Sequence, residues 1–367
     1  MINVTIDGRR LAVPEGWTVL RAAHANGINI PTLCHHKDLA PTGNCRLCLV
    51  NIKGNRLLQA ACVTSVWDEM VVETRTAQIV EARREILALL TENHPDDCGE
   101  CEVDGDCELQ ALLKEYSPAR RGPSPFVPVH AVDSDPNPFI HVDFNRCILC
   151  RRCVAACGQV QVRDVWNVAH RGNAEGVRAG ANTTLLEARC ESCGQCVAYC
   201  PTGALTNKMS RGLARTTDTK RVTTTCGYCG VGCTLDLLVK DNRLVGVASN
   251  PEAPVNGMAL CVKGRYGYDY VHHPDRLKVP RVRRYLLDGD AKPRNEASNP
   301  GWDWIDVDWN VALDLAAKQL SSIASEHGAD ALGFLTSAKC LNEENYLMNK
   351  LARQVFGTNN IDHCARL

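Results

Sequence analysis

The sequence predicts a multidomain α+β protein built from several small domains, and three observations lead to this prediction. All but two of its 21 cysteines fall into closely spaced groups along the 367 residues. Short strand and helix patterns alternate between these groups. Only the final segment, residues 276–367, carries the longer apolar periods of an α/β domain. The length by itself also agrees with more than one domain.

Composition restricts the class of protein. A net charge of −1, with 45% hydrophobic and 23% charged residues, is ordinary for a globular protein and predicts no binding of nucleic acid or of an anionic membrane surface. No apolar run has the length of a membrane span, and Met1 leads directly into strand-like alternation rather than an export signal. We therefore expect a cytoplasmic protein, in which grouped cysteines hold metal more often than disulfides.

Residues 1–78 are predicted to form a β-grasp [2Fe–2S] domain. Alternating apolar residues around Asp7 and Gly8 predict a β-hairpin, Thr18 is placed to cap a helix, and Gly27 to end it. Four cysteines follow: Cys34, Cys45, Cys48 and Cys62. The first gap is ten residues, where plant-type domains have four; the longer gap resembles the variant of complex I-like and hydrogenase-linked proteins. A zinc knuckle would leave the first and last of these cysteines unexplained.

Residues 79–118 are predicted to hold a [4Fe–4S] cluster with one histidine and three cysteines: His94, Cys98, Cys101 and Cys107. Imidazole is neutral where thiolate is anionic, so this ligand set should raise the reduction potential. A helix over 76–91 is expected before it, with Arg83 away from the apolar face. The eight carboxylates in residues 92–108 are interpreted as a solvated acidic loop.

A proline-rich linker is predicted over residues 119–139, which include Pro123 and Pro125. Residues 140–209 then repeat the spacing C-x2-C-x2-C-x3-C, which is typical of ferredoxins with two [4Fe–4S] clusters. Because the fourth cysteine of each run binds the other cluster, the expected sets are Cys147, Cys150, Cys153 and Cys200, and Cys190, Cys193, Cys196 and Cys157. The duplicated run argues against a disulfide scaffold or zinc sites. Arg151 and Arg152 either offset cluster charge or face water, and we take the second as the default.

Residues 220–275 are predicted to form another small [4Fe–4S] domain, with a β-hairpin between its ligands Cys226, Cys229, Cys233 and Cys261. Residues 276–367 are predicted to be the start of an α/β domain that is left incomplete. There Asn310 is a predicted helix cap and 331–336 a buried strand. A helix from Asn342 is predicted to place Leu347, Leu351 and Val355 on one face and to end at Gly357.

The order of these groups resembles the catalytic α subunit of soluble NAD(P)-dependent formate dehydrogenases, which are related to the large peripheral iron–sulfur subunit of complex I. Residues 337–346 and 357–366 look like segments beside the cofactor of that family, a molybdenum or tungsten bis(pyranopterin guanine dinucleotide). The resemblance implies oxidation of formate to CO2, with Lys263 as a catalytic and cofactor-binding residue and Cys340 as a second cofactor-binding residue. An ordinary surface lysine is the alternative for Lys263.

The same resemblance implies an electron path through five clusters. Electrons would pass first to the cluster of Cys226 and Cys261, then through the paired clusters, and leave at the [2Fe–2S] end. The partners implied are a subunit that binds flavin and NAD(P) and a small [2Fe–2S] subunit, since no dinucleotide-binding glycine motif follows a strand in this sequence. In that family the metal-ligating cysteine or selenocysteine comes directly after the position of Leu367. A UGA codon for selenocysteine, a fragment and a short paralogue are three explanations, of which we favour the first.

A different class of function is also open. The chain fits a non-catalytic electron-transfer subunit of a bifurcating hydrogenase or complex I-like assembly, which would need no substrate site. A free multi-cluster ferredoxin is a weaker interpretation, because the partial α/β domain would expose an unfinished apolar sheet.

Iron analysis of anaerobically reconstituted protein is expected to give about 18 irons per chain, from one [2Fe–2S] and four [4Fe–4S] clusters. Substituting Cys340 or Cys364, which fit no cluster spacing, should leave that content unchanged. A content of about eight irons would contradict several of the predicted sites.

Overall fold

The computed structural model describes residues 1–119, 121–122, 126–290, 292–293 and 299–364. The chain divides into two compact units: Met1–Thr224 with Thr234–Tyr268, and Thr225–Cys233 with Asp269–Leu367. Pro123 and Pro125 of the predicted linker, and residues 365–367, lie outside the described residues. Among the residues described, no helix combines the length and the apolar character needed to cross a membrane.

The first unit begins with a mixed sheet and one helix. The strands are β1 (Ile2–Ile6), β2 (Arg9–Val13), β3 (Leu49–Ile52), β4 (Gln59–Ala60) and β5 (Met70–Glu73), in the order β2–β1–β5–β3–β4. β1 pairs antiparallel with β2, as the hairpin pattern predicts, and parallel with β5. Helix α1 (Val19–Ala25) begins after Thr18, whose side chain accepts a hydrogen bond from the Arg21 amide. The sheet and α1 enclose an apolar core.

Helix α2 (Ala77–Glu92) confirms the predicted helix, and α3 (Glu108–Tyr116) follows it. The expectation that Arg83 lies away from the apolar face is wrong, because Arg83 is only 2% exposed. Its guanidinium donates to the carbonyl oxygens of Leu47 and Leu49, both at 3.0 Å, and to the Tyr116 hydroxyl at 3.1 Å. These carbonyls lie on either side of Cys48, so α2 is bonded directly to a cysteine loop.

The middle of the first unit consists of short paired elements. They are β6 (Ile140–Val142), α4 (Arg152–Ala155), a π-helical turn (Ala156–Val160), β7 (Trp166–Ala169), β8 (Gly176–Ala179), α5 (Gln195–Tyr199) and β9 (Leu205–Asn207). β6 pairs antiparallel with β9, and β7 with β8. Each of the two cysteine runs contains a short helix that begins one residue before its third cysteine, which is the arrangement expected of a duplicated motif. The described part of the predicted linker contains neither helix nor strand, as its prolines predict.

The last part of the first unit contains a three-stranded sheet in the order β10–β11–β12. Its strands are β10 (Lys220–Thr225), β11 (Thr234–Lys240) and β12 (Arg243–Ser249), and α6 (Val262–Tyr266) follows. The predicted hairpin is confirmed: β11 and β12 are antiparallel, and both turn residues, Asp241 and Asn242, have positive φ angles of 48° and 59°.

The second unit contains two small pairs of strands. Its elements are β13 (Arg281–Arg283), α7 (Arg284–Asp288), β14 (Trp304–Asp306), α8 (Trp309–His327), β15 (Phe334–Thr336), α9 (Asn342–Lys350), a π-helical turn (Leu351–Phe356) and β16 (Ile361–His363). β13 and β14 are antiparallel, whereas β15 and β16 are parallel and joined through α9. This strand–helix–strand crossover is the local unit of an α/β domain. Short 3-10 turns also occur in both units: Cys98–Glu100, Phe144–Arg146, Gly172–Ala174, Thr216–Asp218, Asp269–His272, Pro300–Trp302 and Ala329–Ala331.

Three details of the second unit differ from prediction. Asp308, not Asn310, caps α8, because its carboxylate accepts from the Val311 amide at 2.9 Å. The predicted buried strand is shorter, and only one of its faces is covered, so Phe334 is 8% exposed whereas Leu335 is 83% exposed. The predicted apolar face also fails, since Leu347 and Val355 are exposed. Met348, Leu351 and Ala352 of this segment pack in the core of the unit instead.

Replacing Arg83 by alanine is expected to lower the free energy of unfolding by about 3 kcal/mol, because two buried carbonyl groups lose their donor. Arg75→Ala is the matched control, since Arg75 forms an exposed ion pair with Glu115; its expected cost is below about 1 kcal/mol. Urea unfolding of the cluster-loaded chain, followed by circular dichroism under anaerobic conditions, measures both. Equal losses in the two variants would contradict the role assigned to Arg83.

Candidate iron–sulfur sites

The four cysteines of the predicted [2Fe–2S] site are buried and close to one another. The amides of Cys34 and Cys45 each donate to the other residue's sulfur, at 3.4 and 3.3 Å. The thiol of Cys45 also donates to Cys34, which lowers the pKa of Cys34 to about 5 and raises the pKa of Cys45. Cys48 and Cys62 form a second such pair, in which a hydrogen bond from Cys62 lowers the pKa of Cys48 to about 7. The structure therefore brings these four thiols together.

The residues of the predicted histidine-containing site follow α2. His94 is buried two residues beyond the end of that helix. Cys107 caps α3, and its sulfur accepts from the Gln110 amide at 3.5 Å. Burial, and to a smaller degree repulsion by Cys101 and Cys98, raises the pKa of Cys107 to about 11. The three cysteines are thus close enough to interact electrostatically.

The two ferredoxin-like loops have the same backbone conformation. Leu149 and Ser192, at equivalent positions, have φ angles of 53° and 54°. Their amides donate to the sulfurs of Cys147 and Cys190, at 3.4 and 3.3 Å. At the next equivalent pair, Arg151 and Gly194 have φ angles of 64° and 70°. Positive φ is uncommon outside glycine, so its repetition shows that the two loops share one fold.

The thiols of these loops are grouped as the crossed spacing predicts. Burial and then the neighbouring thiolate of Cys200 raise the pKa of Cys150. In the other half, burial raises the pKa of Cys196, with further contributions from Cys193, Cys190 and Cys157. Cys200 therefore lies with the first run and Cys157 with the second. Their binding of iron stays a prediction.

Arg152 does not face water, contrary to the default expectation. It is 3% exposed, and its guanidinium forms two hydrogen bonds with the Glu108 carboxylate, at 2.6 and 2.8 Å. The same group donates to the His35 carbonyl oxygen at 2.7 Å. Arg152 is buried because the loop that carries it packs between two other cysteine loops.

Residues 92–108 form an acidic loop whose eight carboxylates are all exposed or partly exposed, as the interpretation of a solvated loop predicts. Five of its carboxylates form ion pairs with arginines of the same unit: Asp97 with Arg146, Glu102 with Arg211, Asp104 with Arg215, Asp106 with Arg221, and Glu108 with Arg152. Three of these arginines, Arg211, Arg215 and Arg221, belong to the basic segment 210–221. The opposite charges of residues 92–108 and 210–221 were the sequence signal that could have predicted these ion pairs.

Arg265 is, after Arg83 and Arg152, a third buried arginine that the sequence did not indicate. Its Nε donates to the Cys193 carbonyl oxygen at 2.9 Å, and its Nη2 donates to the Ser249 hydroxyl at 3.0 Å. Burial lowers the pKa of its guanidinium. It lies next to Gly194, where an added Cβ would come within 2.3 Å of the Arg265 side chain. Glycine at this position therefore serves both the positive φ angle and the close contact.

The last predicted cluster is divided between the two compact units. In the second unit, the Cys226 amide donates to the Cys233 carbonyl oxygen at 2.7 Å, forming a turn that contains Cys229. In the first unit, Cys261 precedes α6 and is exposed, as is Lys263. Cys340, in the second unit, is partly buried. The four-cysteine set and the roles of Lys263 and Cys340 remain predictions.

The chemistry of the grouped residues fits iron–sulfur clusters. All 21 cysteines are free thiols, and the sets described above are rich in sulfur, the ligand that such clusters take. Four of the eight cysteines in the paired loops are buried and the other four are partly buried. For Cys147, burial raises the pKa to about 11, so a bound metal would have to supply the positive charge that stabilises the thiolates. Within the described ranges, no three His, Cys, Asp or Glu side chains are spaced to hold a single metal ion.

Comparison with known families gives five matches in chain order. They are a 2Fe-2S iron-sulfur cluster binding domain (1–77), the NADH-ubiquinone oxidoreductase-G iron-sulfur binding region (83–121), the NADH-quinone oxidoreductase subunit 3 ferredoxin-like domain (137–206), the molybdopterin oxidoreductase Fe4S4 domain (219–273) and molybdopterin oxidoreductase (276–367). The fold and the cysteine groups are those of iron–sulfur domains, the class that the first four matches describe. The chain is similar to iron–sulfur subunits of NADH-quinone oxidoreductase and to molybdopterin oxidoreductases, each over part of its length.

Individual curated relatives are similar over nearly the whole of this chain. The second G-type subunit of NADH-quinone oxidoreductase from Rhizobium meliloti is 39% identical over the whole chain, and the alpha subunit of the NADPH-Fe(3+) oxidoreductase of Geobacter sulfurreducens is 35% identical. A Staphylococcus aureus protein with the provisional name formate dehydrogenase is 30% identical over 99% of the chain. The chain spans about two fifths of the length of these relatives (39–40%). A solved NAD+-reducing [NiFe]-hydrogenase in the H2-reduced state is 32% identical, covering 56% of this chain and 87% of its own, with a TM-score of 0.49.

Replacing Cys157 by alanine is expected to remove one [4Fe–4S] cluster, the one predicted at Cys190, Cys193 and Cys196. Adding Cys190→Ala should remove no further cluster, whereas adding Cys147→Ala should remove a second one, because the fourth ligands cross. Mössbauer spectroscopy of iron-57 protein counts the clusters. Loss of two clusters in the Cys157/Cys190 variant would show that the ligands are not crossed.

Proposed function

We propose that the chain is the electron-transfer part of a formate dehydrogenase α subunit. In this proposal electrons from formate oxidation, at a molybdenum or tungsten bis-pterin site, pass through five iron–sulfur clusters to a partner that binds flavin and NAD(P). A small [2Fe–2S] subunit is a further proposed partner. The observation that carries the proposal is the direct packing of successive cysteine loops in the first unit.

That packing can be followed from loop to loop. The Asn44 side chain, next to Cys45, donates to the Leu149 carbonyl oxygen at 2.6 Å. Directly after the second cysteine run, the Pro201 carbonyl oxygen lies 3.5 Å from the Cys107 sulfur. A Cβ added at Gly203 would come within 2.8 Å of the Cys101 sulfur. The three groups of predicted ligands are therefore neighbours without intervening secondary structure.

When bound, the clusters accept and release single electrons, and the metal–pterin group supplies the chemistry of formate oxidation. In this proposal the residues of this chain bind these groups and set their reduction potentials. Buried cysteines would ligate iron and limit access of water, while arginines near the loops would offset the negative charge of the thiolates. We propose that Lys263 and Cys340 contact the pterin group and that Lys263 stabilises negative charge there.

Two observations support formate as the substrate. Residues 337–346 and 357–366 resemble formate dehydrogenase segments beside the cofactor, and relatives with that provisional name are 30% identical. Within the second unit, the Ser337 hydroxyl lies 3.2 Å from the Cys364 sulfur. Those two segments therefore meet at the ends of the paired strands β15 and β16, as residues that share a cofactor site would.

A second candidate function is electron transfer in an NAD(P)H-linked assembly that has no formate site. It is favoured by the relatives of higher identity, which are named as a G-type subunit of NADH-quinone oxidoreductase and as the alpha subunit of NADPH-Fe(3+) oxidoreductase. In this case electrons would enter from a reduced nicotinamide through the partner subunit, and the clusters of this chain would carry them to another acceptor.

The complex purified with its partner subunits is expected to reduce NAD(P)+ when formate is added, and to contain molybdenum or tungsten. Stopped-flow spectrophotometry and metal analysis measure the two properties. The same preparation, given NAD(P)H instead of formate, provides the control for intact clusters. Cluster reduction by NAD(P)H with no response to formate would contradict the formate proposal and support the second candidate.

A further inference from the structure

The two ferredoxin-like loops place different residues at one equivalent position. Arg152 precedes Cys153, and Gln195 precedes Cys196; both are buried, at 3% and 1% exposure. Each donates to a main-chain carbonyl beside a cysteine of another predicted site. Arg152 bonds to the carbonyl of His35, next to Cys34, at 2.7 Å, and Gln195 to that of Leu260, next to Cys261, at 3.1 Å. Position and hydrogen bond are shared, but only the arginine carries a charge.

Arg152 makes one further contact that Gln195 does not make. Its two terminal nitrogens bind both oxygens of Glu108, the residue directly after Cys107. Arg152 therefore connects three predicted cluster sites, each through a residue adjacent to a ligand. A planar guanidinium can meet a carboxylate and a carbonyl together, whereas an ammonium or an amide offers fewer fixed donors.

The charges around Arg152 are unequally screened. The guanidinium is 3% exposed, whereas the Glu108 side chain is 47% exposed and borders a cavity of about 440 Å³. A buried charge acts through a lower effective dielectric than a charge that faces solvent. Cys150 and Cys200 are close enough that their negative charge stabilises the guanidinium. The net field of the pair at these sulfurs is therefore positive.

We propose that Arg152 is a positioning residue that joins three cluster loops and raises the reduction potential of the cluster predicted at Cys147, Cys150, Cys153 and Cys200. Reduction adds one negative charge to a cluster, so a buried positive charge beside it favours the reduced form. This inference rests on the cluster assignment of the proposed function. Arg152 supplies a positive charge at a position where the other half of the duplicated domain has the neutral Gln195.

The test is a redox titration of the cluster-loaded complex, followed by electron paramagnetic resonance. The signal of this cluster is the one that Cys147→Ala removes. Arg152→Gln introduces the side chain that the other loop already uses. At a fixed solution potential it is expected to lower the ratio of reduced to oxidised cluster about tenfold, which equals about 59 mV for a one-electron couple.

Two further variants separate charge from structure. Glu108→Gln leaves the guanidinium uncompensated, so the potential of the same cluster should rise instead of falling. Arg152→Lys keeps the charge and should keep the potential near that of the unaltered protein, although it loses the double contact with Glu108 and lowers the melting temperature. Arg75→Gln, which removes an exposed guanidinium, is the control and should change neither property.

Opposite shifts in the Arg152→Gln and Glu108→Gln variants support the proposal. Shifts of the same sign, or none with the cluster intact, would overturn it and leave the proposed function untouched. If Arg152→Gln does not fold, Glu108→Gln decides alone: a raised potential supports the inference and an unchanged one contradicts it. If the unaltered complex has no cluster that depends on Cys147, the cluster assignment fails, and the inference fails with it.

Discussion

The structure of the first unit depends on how the main-chain groups of its cysteine loops find hydrogen-bond partners. These loops have irregular backbone, and buried carbonyl groups are rarely left unpaired in proteins. Neighbouring side chains supply the donors: Arg83 to Leu47 and Leu49, Asn44 to Leu149, Arg152 to His35, Thr202 to Arg146, Gln195 to Leu260, and Arg265 to Cys193. A loop around one predicted cluster is thus held by residues that belong to another element or another loop.

The same bonds determine where charge is buried. Three of these donors, Arg83, Arg152 and Arg265, are arginines with little exposure. Each brings a positive charge to within one or two residues of a predicted thiolate ligand. Arg146 adds a fourth, since it precedes Cys147 and binds both oxygens of Asp97 at 2.7 Å. Hydrogen bonding and charge compensation are therefore performed by the same side chains, and a change at any of them affects both.

Local patterns predicted much of this arrangement. Cysteine spacing indicated which thiols meet, and the hairpins and the Thr18 cap follow from turn and capping residues within a few positions. The buried donors escaped prediction because their partners are remote: 36 residues separate Arg83 from Leu47, and 117 separate Arg152 from His35. Helical periodicity assigns a charged residue to the solvent side. It cannot indicate that a distant loop will cover Arg83 and require its donors.

The repeated backbone of the two ferredoxin-like loops has a consequence for assembly of the chain. Each loop is formed by residues close in sequence, and closing such short segments costs little conformational entropy. The bonds from Arg152 to His35 and from Gln195 to Leu260 each span at least 65 residues, and contacts of that separation form late in folding. The loops can therefore take shape, and offer their thiols to iron, before they dock. Because the fourth ligand of each predicted cluster comes from the other run, the two loops have to meet before either ligand set is complete, and the longer-range bonds then join this pair of loops to the neighbouring sites.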